Sequence, residues 1–142
     1  MDYSATITTT APLDRAAHAI THDLEQWWST RIERTDTGFT TRFNNSHATF
    51  HFDPERSDTA FSWTCTDAHM IMDGVDDRAE WVGTTLLWQI TGTDTGSQIQ
   101  LTHRGLVPTL PCFDICMRGW QHFFETSLRD HLNGAQGAPN TT

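Results

Sequence analysis

The feature that most constrains the fold is a change of hydrophobic period along the chain. Between Arg31 and Leu106, apolar residues recur at every second position in five segments that short polar turns separate. Polar residues such as Ser62 and Thr64 fill the alternate positions. Each segment therefore predicts a strand with one buried and one solvated face. Together the segments predict an antiparallel sheet with one face in water.

Helical patterns flank this region on both sides. Tyr3 to Thr10 predicts a first strand, and Leu13 to Ser29 then predicts two short helices in tandem. After the strands, residues 112–133 place apolar side chains on one stripe and predict a single helix roughly 33 Å long. A helix of that length can cross the inner face of the sheet. The order of elements indicates an α+β fold.

One domain accounts for the 142 residues. We expect residues 1–134 to form it and residues 135–142, which lack large apolar side chains, to form a flexible C-terminal tail. The chain shows no apolar run long enough for a membrane span and no secretory signal, which predicts a cytoplasmic protein with reduced cysteines. Eighteen acidic against nine basic residues give a net charge of −9. This charge argues against nucleic acid and anionic membranes as partners.

Several motifs resemble the START-like, or SRPBCC, helix-grip superfamily. They include Ala11-Pro12, Trp27-Trp28, residues 80–84, residues 101–108 and Gly119-Trp120. Within that superfamily the chain most resembles the bacterial domains similar to the activator of the ninety-kilodalton heat-shock protein's ATPase. The resemblance implies a curved antiparallel sheet of about six or seven strands wrapped around one long C-terminal helix, with two short helices after the first strand. It also implies a cavity open to small hydrophobic ligands.

Inward-facing residues of the sheet and the long helix form the candidate ligand site. Gly119 lies within that helix at a cost of about 1 kcal/mol relative to Ala, which suggests a thinned wall beside a cavity. A filled aromatic core is the alternative, because rings are ordinary core material. The predicted ligand-binding residues are Trp28, Phe50, Phe61, Trp63, Glu80, Leu86, Trp88, Leu101, His103, Cys116, Trp120 and Phe123.

Three functions remain open from the sequence. The first is binding of a small apolar molecule by a monomer or weak homodimer, with His103 or Glu80 orienting the ligand. The second is a cyclase or hydratase that uses His103 as acid or base, which requires a second titratable group in the cavity within about 3 Å of His103 or one water away. The third is a co-chaperone that docks through the outer face of the sheet, where Trp81 and Leu87 are the candidates.

No sequence motif indicates a cofactor, a metal or a catalytic residue. The glycine-rich nucleotide loops, the nucleophile elbow and the zinc-protease helix are all missing from the chain. Cys112 and Cys116 lie one helical turn apart with His122 nearby, but no second ligand pair stands at zinc-site spacing. We therefore expect no metal and no cofactor, and we favour a binding protein over an enzyme.

Overall fold

A computed structural model describes residues 1–142, and in it seven strands form one antiparallel sheet. The strand order is β1-β7-β6-β5-β4-β3-β2, so β2 to β7 are sequential neighbours and β1 pairs with β7. This arrangement confirms the predicted helix-grip α+β fold. The strands are β1 (Tyr3–Thr9), β2 (Arg31–Arg34), β3 (Gly38–Phe43), β4 (Ser46–Phe52), β5 (Ala60–His69), β6 (Thr85–Thr93) and β7 (Gly96–Arg104).

The helices occupy the two predicted places. Two short helices, α1 (Leu13–His22) and α2 (Leu24–Trp27), follow the first strand. The C-terminal helix begins as α3 (Phe113–His122), continues through a π-helical segment (Phe123–Leu128) and ends as α4 (Arg129–Leu132). None of these helices is both long and apolar enough to span a bilayer.

The π-helical segment shifts the buried stripe of the C-terminal helix. The sequence, taken at a uniform helical period, places Phe123 on the inner stripe. In the structure Phe124 is fully buried in the core, whereas Phe123 is half-buried. A π-helix spaces its hydrogen bonds five residues apart instead of four, so it moves later side chains around the axis. Phe124 also lies four residues after Trp120 and eight after Cys116, so it continues the buried stripe of α3.

Packed aromatic rings fill most of the space between the sheet and the helices. The Trp63 and Trp88 rings lie 5.3 Å apart, centroid to centroid, on the neighbouring strands β5 and β6. Trp27 from α2 meets Trp88 edge-on at 6.0 Å, and Phe124 meets it from the C-terminal helix at 5.8 Å. These separations are typical of packed aromatic pairs. This part of the interior is a filled core.

The C-terminal residues lie against the domain. The backbone N–H of Asn140 donates to the Trp28 carbonyl, and the Asn140 carbonyl accepts from the N–H of Thr30, both at 2.9 Å. The Ala138 N–H donates to the Ser127 hydroxyl at 2.8 Å. The sequence predicts a flexible tail here because composition reports the scarcity of apolar side chains and is silent about backbone pairing. Backbone groups of Ala138 and Asn140 thus hydrogen-bond to Trp28, Thr30 and Ser127.

Candidate functional site

An apolar cleft of about 200 Å³ lies beside α3, at the end of the sheet where β3 turns into β4. The connection between β5 and β6 forms its opposite wall. Ten of its thirteen lining residues are hydrophobic. The lining residues are Trp28, Phe43, Asn44, Ser46, Met70, Ile71, Met72, Trp81, Ile115, Cys116, Gly119, Trp120 and Phe123.

The α3 wall of the cleft is open where it carries a glycine. Ile115, Cys116, Gly119 and Trp120 share one face because residues four apart lie one turn above each other. A Cβ atom placed on Gly119 would meet no neighbouring atom within 4 Å, helix backbone aside. The missing side chain therefore leaves free volume in the cleft.

The structure places four of the twelve predicted site residues on the cleft. These are Trp28, Cys116, Trp120 and Phe123. The other predicted residues on strands do not line the cleft. They lie in the packed core, apart from Phe61, which is half-buried. Alternation along a strand predicts which face a side chain takes, but it does not predict where along the sheet the interior is already full. The eight residues away from the cleft are Phe50, Phe61, Trp63, Glu80, Leu86, Trp88, Leu101 and His103.

The connection between β5 and β6 supplies cleft residues that the sequence did not predict. Met70, Met72 and Trp81 come from this connection, and β6 begins only at Thr85. The sequence assigned Trp81 to the outer face of the sheet as a docking residue, and this assignment is wrong. Trp81 is 5 % exposed and points into the cleft, because a strand's inside-outside alternation does not apply to a loop. In the sequence, the only sign that this connection forms a cleft wall was its two methionines, Met70 and Met72.

His103 lies at the centre of a directed hydrogen-bond chain. The Trp120 indole N–H can only donate, and it lies 3.0 Å from His103 Nδ1, so Nδ1 accepts. Nε2 therefore carries the proton and donates to the Thr84 hydroxyl at 2.8 Å. That hydroxyl in turn donates to the Trp81 carbonyl at 2.6 Å. Both ring nitrogens of His103 therefore have hydrogen-bond partners, and these bonds fix the neutral tautomer that carries its proton on Nε2.

These hydrogen bonds leave His103 unsuited to act as an acid or base. Burial in the core lowers its pKa from 6.5 to about 3. Its hydrogen-bond partners are an indole and a hydroxyl, and neither titrates near neutral pH. The geometry therefore gives His103 a positioning role: it holds Trp120 in the cleft wall.

Glu80 lies at the N-terminus of α3 and does not line the cleft. One carboxylate oxygen accepts the backbone N–H of Cys112, the residue before the helix, at 3.0 Å. A carboxylate is favourable here because the first N–H groups of a helix lack partners within it and carry partial positive charge. The sequence prediction that Glu80 orients a ligand has no counterpart in the cleft geometry. Its hydrogen bond with the Cys112 N–H anchors the start of the helix that carries Cys116.

The cysteines are free thiols, and no group of three or more His, Cys, Asp or Glu side chains is arranged to hold a metal ion. Cys112 is fully buried, and Cys116 is 5 % exposed where it lines the cleft. Cys116 Sγ lies 3.2 Å from the indole nitrogen of Trp81, which donates to it. The cleft thus presents apolar walls, one thiol, and the polar side chains of Asn44 and Ser46.

Comparison with known proteins identifies the fold. No protein-family profile matches the chain, and no curated protein sequence matches it. Among solved structures, the Aha1 dimer from Colwellia psychrerythraea is similar over 96 % of this chain and 99 % of its own, with 20 % identity and a TM-score of 0.78. Ara h 8.0201 is 11 % identical over 93 % of this chain and 97 % of its own, with a TM-score of 0.61.

A third similar structure is DynU16, a protein of the dynemicin biosynthetic locus. It is 16 % identical, with a TM-score of 0.65, and the match covers 99 % of this chain and 51 % of DynU16. All three have folds of the SRPBCC type. The chain therefore shares the helix-grip fold of these structures, as its sequence motifs predicted, and this fold alone does not give its function.

Proposed function

We propose that this protein binds a small apolar molecule in the cleft between α3 and the β5–β6 connection. The observation that carries the proposal is the free volume of about 200 Å³ among ten hydrophobic side chains, beside a helix position that lacks a side chain. Ligand sites are characteristically apolar concavities with a few placed polar groups. Here Asn44 and Ser46 supply the polar groups at one side.

The size of the cleft limits the ligand. Small-molecule pockets commonly run from about 300 to 1,000 Å³, and an apolar cavity of about 150 Å³ holds one benzene. The cleft lies between these values and suits a molecule of one ring or a short chain. The SRPBCC fold of the neighbouring structures supports a ligand-binding role in general and does not name a ligand.

The other two candidate functions have weaker support. The enzyme hypothesis relied on His103, whose ring nitrogens both have fixed partners. The co-chaperone hypothesis relied on Trp81 and Leu87 as outer docking residues; Trp81 is buried and Leu87 is half-buried. Two further concavities exist, but fewer than half of their lining residues are hydrophobic, so neither suits an apolar ligand as the cleft does.

Binding of fluorobenzene, followed by fluorine NMR, tests the proposal. We expect one saturable site per chain in the parent. Gly119→Leu should fill the free volume and weaken binding by about tenfold or more while the fold is kept. Arg118→Leu is the matched control, because it adds the same side chain at the adjacent, exposed helix position. If both variants bind fluorobenzene like the parent, the cleft is not the site.

A further inference from the structure

Cys116 combines a position on the cleft with an unusual set of neighbours. Its sulfur accepts a hydrogen bond from Trp81 Nε1 at 3.2 Å and lies 3.8 Å from the Met72 sulfur. Both neighbours also line the cleft. Cys112, one turn earlier on the helix, is fully buried behind it. A molecule in the cleft would therefore meet the thiol of Cys116 and not that of Cys112.

The three cysteines differ in how readily each forms the thiolate, which is the reactive form. Burial raises the pKa of Cys65 to about 12, and its thiol donates to the Asp67 carbonyl. The pKa of Cys112 is also raised, by its hydrogen bond with Cys116 and by burial. The pKa of Cys116 is lowered, because hydrogen bonds from Cys112 and from the Trp81 indole favour its thiolate and outweigh burial.

Resting on the proposed cleft function, we propose that Cys116 captures small, uncharged, carbonyl-activated alkenes by forming a thioether inside the cleft. The Cys116 thiolate adds to the β-carbon of the alkene and forms the carbon–sulfur bond. The π electron pair moves towards the carbonyl as an enolate, which takes up at its α-carbon a proton equivalent to the one the thiol released. Thiol and alkene combine without a leaving group, so no oxidant or reductant is required.

The surroundings of Cys116 restrict this chemistry to neutral, compact electrophiles. The lining penalises a charged reagent, because ten of its residues are hydrophobic and none carries an opposite charge to replace the lost hydration. The product is a neutral thioether, so burying it leaves no charge to desolvate. The volume of about 200 Å³ admits a reagent of roughly one ring.

Labelling of the intact protein with N-ethylmaleimide tests the inference. Iodoacetate serves as the charged thiol reagent, and glutathione is the reference thiol for both. We expect one adduct per chain, located on Cys116 by peptide mapping, with Cys65 and Cys112 unmodified. The preference for the neutral maleimide over iodoacetate should exceed that of glutathione by about tenfold or more.

Variants separate capture in the cleft from other routes to the thiol. Cys116→Ser should remove the adduct, Gly119→Leu should slow labelling by about tenfold or more, and Arg118→Leu should label like the parent. Trp81→Phe keeps a ring but removes the N–H donor, so we expect the labelling rate to rise at a higher pH than in the parent. N-ethylsuccinimide, the saturated analogue, should slow labelling by competition.

Three results would overturn the inference. Equal labelling of Cys65 and Cys116 would show that the fold opens to admit the reagent, because Cys65 is buried elsewhere. An unmodified Cys116 in a protein that binds fluorobenzene would refute covalent capture and leave the proposed cleft function intact. If Gly119→Leu labels like the parent and fluorobenzene does not bind, both the capture and the cleft function are refuted.

Discussion

At one end of the interior, Trp63 packs edge-on against Phe39 at 5.1 Å and at a tilt against Trp88 at 5.3 Å. At the other end, Trp81 stacks on Trp120 at 6.1 Å, yet a cleft remains beside the pair. Both ends are built from tryptophan rings, so the difference does not come from the type of side chain. It comes from the backbone that presents the rings and from the residues between them.

The filled end is presented by strands in register. Trp63 lies opposite Leu86, and Phe61 lies opposite Trp88, so pairing of β5 with β6 fixes where these side chains meet. Packing takes precedence here over hydrogen bonding, since the buried indole N–H of Trp88 has no partner. At the open end, one wall is an irregular connection that contributes Met70 and Met72, and the facing helix carries Gly119. Aromatic content alone therefore does not distinguish a core from a binding site.

The largest expected effect comes from truncating a tryptophan at each end. Trp63→Ala should lower the free energy of unfolding by roughly 3–5 kcal/mol, because the rigid strands around it cannot close the cavity. Trp81→Ala should cost less, roughly 2–3 kcal/mol, since its irregular segment already borders free volume and can move inward. Urea denaturation of both variants measures the two losses. An equal or greater loss at Trp81 would contradict the distinction between the ends.

The second prediction concerns His103, which joins the core to the cleft wall through Trp120. Its pKa is lowered from 6.5 to about 3 in the folded state, so between these values the unfolded chain binds more protons than the folded chain. Stability is thus present above pH 6.5 and is lost as the pH falls towards 3. From pH 7 to pH 4.5 this linkage amounts to roughly 2–3 kcal/mol.

A His103→Gln variant isolates that contribution. It should be less stable than the parent at pH 7 by about 1–3 kcal/mol, because the indole N–H of Trp120 or the Thr84 hydroxyl loses a well-placed partner. Its stability should also fall less steeply with pH. The lowered pKa values of Asp23 and Glu25 affect both proteins, so they cancel in the difference. Parallel curves of unfolding free energy against pH would rule out a buried neutral His103.

The smallest expected effect sharpens the description of the open end. Gly119→Ala should raise the unfolding free energy by about 0.5–1 kcal/mol, because alanine favours the helix and its Cβ enters empty space. Gly38→Ala is the contrasting control, since a Cβ there would lie 1.9 Å from the Phe50 carbonyl oxygen and should destabilise the protein. Thermal unfolding distinguishes the two. A destabilised Gly119→Ala protein would mean that this helix face is already filled.

The alternation of polar and apolar residues was sufficient to predict most of the sheet, and the stripe on residues 112–133 was sufficient to predict the C-terminal helix. Both patterns are local, because a strand or helix repeats its exposure every two or about 3.6 residues. Prediction failed where that regularity stops. Trp81 lies in a connection without a period, and Phe124 lies in a π-helical segment whose period differs.

The sequence by itself determined the fold class, the inward face of every strand except β2, which it did not predict, and the presence of Cys116 and Trp120 on the inner helix face. Only the tertiary structure decided which inward residues fill the core and which four of them border the cleft. The physical reason is that free volume is a property of the whole assembly. It depends on how far apart distant segments are held, and neither the β5–β6 connection nor α3 specifies that distance alone.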